Sequence, residues 1–112
     1  MKRLIAFAAA GVMALPIIAL AAVVAPAGCY IAADSSTIHR GDSVTLTWST
    51  TNATKSTLHL GGSNGGNIAV ASSGSVTVTP RGTQNFYIDA LNLVPHVGAS
   101  FKQCGVLVKV IQ

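Results

Sequence analysis

The residues of this chain best suited to chemistry are few: Cys29 and Cys104, His39, His59 and His96, and Asp34, Asp42 and Asp89. Glutamate is absent. Acid–base catalysis needs titratable groups held within reach of one another, and the three aspartates stand at turn or strand positions with no paired carboxylate in sequence. No Gly-x-Ser-x-Gly elbow occurs that would expose a serine nucleophile. The histidines are separated by 20 and 37 residues, which matches no metal-ligand spacing. They read as solvent-facing or turn residues, so no metal and no cofactor is expected. Gly61-Gly62-Ser63-Asn64-Gly65-Gly66 fits neither phosphate-binding glycine pattern and reads as a flexible turn. An enzyme is not expected.

What the two cysteines do depends on the compartment, and the first 27 residues set it. Lys2 and Arg3 are followed by no charged side chain until Asp34, and Ala25-Pro26-Ala27 stands just before Gly28 and Cys29. A basic start, an apolar run and a small-x-small site make a secretory signal, with cleavage after Ala27; an earlier cut after Ala21 is an alternative. The rival is an uncleaved signal anchor, because residues 4–25 form a run of 22 and ~20 apolar residues cross a bilayer. Gly11 and Pro16 interrupt that run without forbidding a helix. Both versions deliver the remainder outside, since the positive charges stay inside. The expected location is extracytoplasmic: periplasm, cell surface or medium, with membrane contact only through residues 1–27 if they are retained.

Two cysteines in an exported chain suggest one disulfide, Cys29 to Cys104. Lipidation of Cys29 competes with it. Lipoprotein signals place an aliphatic residue, commonly leucine, three before the cysteine, where this chain has Pro26, and lipidation would leave Cys104 an unpaired thiol. A loop closed over 75 residues would contribute about 4–5 kcal/mol on the chain-entropy model.

With residues 1–27 set aside, five cations and three aspartates remain, a net charge of +2. The cations form no cluster, so nucleic acid is not an expected partner. Residues 28–112 hold one domain, small enough to benefit from a covalent staple.

That domain alternates apolar and polar residues with period two, as half-buried strands do. Val44, Leu46 and Trp48 share a face, which predicts a strand with a buried tryptophan. Leu58 and Leu60, Val76 and Val78, and Phe86, Ile88 and Ala90 repeat the pattern. The last strand sets Cys104, Val106, Val108 and Val110 on one face. Its other face, with Leu107 and Ile111, is only partly polar and is expected to be covered in part. Turn residues separate these runs at Arg40-Gly41-Asp42, Thr51-Asn52-Ala53, 61–66, Ser72-Ser73-Gly74 and Pro80-Arg81-Gly82. No segment reads as a helix. Asn52-Ala53-Thr54 fits a glycosylation sequon, but Asn52 reads as a turn residue that tolerates a left-handed backbone. Short strands at this spacing predict an all-β sandwich, beginning at Cys29-Tyr30-Ile31-Ala32-Ala33; if the first and last strands lie side by side, the disulfide would pin the two chain ends together.

The stretches CYIAADSSTI (29–38), GDSVTLTWSTTNAT (41–54) and GSVTVTP (74–80), with Cys104 near the last strand, resemble the short bacterial immunoglobulin-like modules of secreted and surface proteins. The resemblance spans nearly all of residues 29–112. It implies an immunoglobulin-like antiparallel β-sandwich behind a signal peptide or signal-anchor helix, with a disulfide between first and last strands. It also implies a non-enzymatic binding, adhesion or spacer role in the bacterial envelope or outside the cell; for a binding role the expected partner is a protein or glycan. The sequence departs from the family at Phe86, where a tyrosine is usual, and in residues 91–103, longer and more apolar than the usual glycine-rich link. Within that connection Leu93, Val94, Pro95, His96 and Val97 are the candidate contact residues, because sandwich folds present such a loop at one end; a long hairpin is the plainer reading. A self-associating envelope or filament subunit is the alternative role. A metal-binding periplasmic protein ranks third.

Overall fold

A computed structural model of the chain describes residues 23–112. The predicted signal or anchor lies largely in residues 1–22, outside the described residues. Eight strands account for the fold: β1 (Gly28–Ala33), β2 (Thr37–His39), β3 (Val44–Thr51), β4 (Lys55–His59), β5 (Asn67–Val70), β6 (Ser73–Val78), β7 (Gln84–Val94) and β8 (Gly98–Ile111). They form two sheets, a three-stranded one in the order β1-β3-β6 and a five-stranded one in the order β2-β8-β7-β4-β5. All neighbours are antiparallel except β2 and β8, which run parallel. Among the described residues no helix is long and apolar enough to cross a membrane.

Alternation places the core where the sequence expects it. Val44, Leu46 and Trp48 of β3 point inward and are buried, as are Leu58 of β4, Phe86 and Ile88 of β7, and Val108 and Val110 of β8. Removing this apolar surface from water is the main stabilising term, at roughly 25 cal/mol per Å². Trp48 keeps its one polar group satisfied, because its indole Nε1–H donates to the Ala71 carbonyl at 3.0 Å. Phe86, fully buried, serves the core with its ring alone.

Between β1 and β2 the chain changes sheets. Asp34 makes the step: its backbone N–H donates to the Thr45 carbonyl, and its Oδ1 accepts from the Thr45 N–H at 2.9 Å. Ser36 then receives the Lys109 N–H, which starts the parallel pairing of Ile38 with Val110. The first and last strands lie close to each other but are not hydrogen-bonded neighbours. β1 sits in one sheet and β8 in the other, and the Cys29–Cys104 disulfide, with Cα atoms 6.0 Å apart, ties the sheets together.

Of the two readings of residues 91–103 the structure has the long hairpin: Leu91 pairs with Phe101 and Leu93 with Ala99, so only Pro95, His96 and Val97 make the reversal between β7 and β8. The short strands β2 and β5 carry too few residues for alternation to reveal them. Asn52 adopts φ 53°, the left-handed turn expected of it. Gly74, expected in a turn, lies within β6 opposite Trp48. A Cβ there would stand 2.9 Å from the indole Cζ2, so the missing side chain makes room for the tryptophan. Gly74→Ala should therefore cost about 1–3 kcal/mol, the usual range for overpacking, measured as a lowered midpoint of urea unfolding. Gly82→Ala, whose methyl would meet no atom within 4 Å, should stay within about 0.5 kcal/mol of the parent.

Candidate binding face

Both sheets leave their outer faces in water, and that of the five-stranded sheet carries several of the exposed large apolar side chains among the described residues. Side chains alternate along β7 and β8, so burial of Phe86, Ile88 and Ala90 sends Tyr87, Asp89, Leu91 and Leu93 outward, and their partners across the hairpin follow. Leu93 is 53% exposed, Phe101 59% and Leu107 52%. The partial cover expected over the last strand's outer face is not supplied by the described residues. Leu107 and Ile111 remain in water.

Of the five residues expected to make contact, Leu93 and Val97 are prominently exposed, and Pro95 and His96 are exposed at the reversal. Val94 is half-buried. His96 takes φ 65° there, a left-handed conformation costly for most side chains but tolerated by histidine more than by β-branched residues. These residues form the tip of the hairpin, while most of the apolar surface lies further down its outer face. Phe101, Tyr87 and Leu107 complete it. Their signal in the sequence was the apolar residues on the supposedly polar face of each strand.

A polar cluster interrupts this strip. Asp89 of β7 accepts from both neighbours: its Oδ2 pairs with His59 Nε2 from β4, and its Oδ1 accepts from Gln103 Nε2 of β8 at 2.7 Å. The hydrogen bond to Asp89 holds the His59 pKa above its ordinary 6.5; partial burial opposes this, and the Asn67 side chain adds to the rise. The imidazole thus points at a carboxylate rather than at a hydroxyl it could activate. Its evident effect is to tie three strands together across the sheet. Beside the cluster the Tyr87 ring lies over Gly105, where a Cβ would come within 2.8 Å of it.

The other histidines lie apart, His39 in β2 and His96 at the hairpin tip. No three histidine, cysteine, aspartate or glutamate side chains gather among the described residues. At the end of the sandwich away from the hairpin tip, a cleft of about 610 Å³ opens beside Arg40, Thr77, Thr79 and Arg81. Its two arginines are 41 positions apart in sequence and meet through the β2–β3 and β6–β7 turns, so no local pattern announces them.

No family model, curated protein or solved structure gives a significant match to this chain.

The tie at Asp89 has a pH consequence. Because the folded-state pKa of His59 is raised, its protonation favours the fold; that stabilisation is complete below about 6.5 and is lost as the pH rises through the raised value. Titration followed by NMR should place His59 above 6.5, and Asp89→Asn should bring it down toward that value. An unchanged midpoint in the variant would remove Asp89 as the cause.

Proposed function

We propose that this chain is an exported, disulfide-stapled immunoglobulin-like module that works by binding a protein surface. The strand order, with β2 parallel to β8 beside an otherwise antiparallel pair of sheets, agrees with the immunoglobulin-like reading of the motif at residues 41–54. The disulfide suits an oxidising compartment outside the cytoplasm. The observation that carries the binding role is the uncovered outer sheet face, with Leu93, Phe101 and Leu107 in water. Exposed apolar side chains set around a polar cluster suit a contact with another surface, and an open sheet face suits a protein better than the deep pocket a small molecule needs. Asp89, His59 and Gln103, fixed against one another, would give such a contact its polar specificity.

Leu93→Ser, Phe101→Ser and Leu107→Ser combined should abolish capture of the envelope partner at an unchanged melting temperature. Thr45→Ala with Thr47→Ala, on the outer face of the other sheet, should leave capture intact. Capture that survives the triple change removes the assignment, and selective retention of a glycan instead identifies the other partner class.

One observation favours self-association as a second reading. The edge strand β6 carries no charged residue, and its first residues are exposed; an uncharged open edge is a template for strand addition. A monomer that does not change with concentration in sedimentation would exclude it.

A further inference from the structure

Three separate elements reach for the segment that precedes β1. Asn92 of β7 donates through Nδ2 to the Ala25 carbonyl at 2.9 Å. Asn52, in the turn between β3 and β4, donates to the Pro26 carbonyl at 3.0 Å. The Ala27 N–H donates to Ser100 Oγ of β8 at 2.9 Å. Val24 lies close enough to Gly98 that a methyl group there would touch it. Asn92 is only 8% exposed, although it stands on the part of the hairpin that runs past Cys104. Residues 24–27 supply its acceptor and run along that extension.

These contacts fall on the residues that the sequence reading assigns to the end of a leader. Ala25-Pro26-Ala27 is the small-x-small site for a cut after Ala27, yet the next residue, Gly28, is already paired with Thr51 in β1. Ala25 and Pro26 are exposed, but the effect of a truncation follows from the hydrogen bonding of the backbone removed. Here removal would take away three bonding partners at once, including the acceptor of a buried amide. We infer that residues 23–27 are the first segment of the exported domain, a strap over the hairpin, rather than the last segment of a leader. The upstream triplet Ala19-Leu20-Ala21 has the same small-x-small form and offers a cut that leaves the strap whole.

The inference rests on the export reading, and one experiment separates the two. The full chain is expressed in a bacterial host, fractionated, and its N-terminus and thiol state are read by intact mass. A mass beginning at Ala22, or an uncut chain in the membrane fraction, keeps the strap and supports the inference, the first as a released and the second as an anchored domain. A mass beginning at Gly28 overturns it while leaving export standing. An uncut cytosolic chain with both thiols open to alkylation overturns export and this inference with it. Asn92→Ala, measured on the recovered protein, should lower the melting temperature by about 4–8 °C, the shift of roughly one lost hydrogen bond in a domain of this size. An unchanged value would mean that Asn92 has no partner in the strap.

Discussion

The rest of the structure depends on one covalent constraint, the disulfide that joins Cys29 in one sheet to Cys104 in the other. A domain this small buries a limited core, and its edge strand β1 is hydrogen-bonded on one side only, to β3. Tying β1 to the middle of β8 closes the side of the sandwich on which the chain changes sheets. Two features follow along the chain. Asp34 and Ser36 can carry the crossover to β2 because both ends of that crossover are fixed, one through β1 and the other through the parallel pairing with β8. Beyond Cys104, the β7–β8 hairpin continues toward its tip with its inner side met by residues 24–27.

The same alternation that fills the core produces the outer face. Every residue that Phe86, Ile88 and Ala90 bury obliges a neighbour to face water, and in this chain several of those neighbours are apolar or aromatic. Such positions are not needed for folding, since a polar residue would satisfy an outer sheet position equally well. Around the His59–Asp89–Gln103 cluster, the strands that make the core also present a mixed apolar and polar surface. The cationic cleft at the other end takes Arg40 and Arg81 from two turns, with Thr77 and Val78 of β6 in its wall.

Much of the sandwich was legible because period two is a strong signal where one face is buried. Trp48, Phe86, Ile88 and Val108 all lie where alternation puts them, and the left-handed turn at Asn52 follows from its residue type. What failed did so for physical reasons. Gly74 looked like a turn glycine because its need is set by Trp48, which is remote in sequence and adjacent only across β3 and β6. Residues 91–103 form the long hairpin that was the plainer reading, although the pairing of Leu91 with Phe101 depends on the register of the whole hairpin. The candidate contact residues lie at its tip, and further exposed apolar residues, Tyr87, Phe101 and Leu107, lie down the strands. The bonds from Asn52, Asn92 and Ser100 to residues 25–27 left no local trace in the sequence.

Equilibrium unfolding of the oxidised domain beside a Cys29→Ala, Cys104→Ala double variant tests the central claim most directly. If the inter-sheet disulfide is the constraint on which the sandwich depends, the variant should lose about 2–5 kcal/mol of stability and should lose protection of β1 and β2 amides first in hydrogen exchange. A variant within about 0.5 kcal/mol of the parent, with β1 and β2 protected as before, would contradict it.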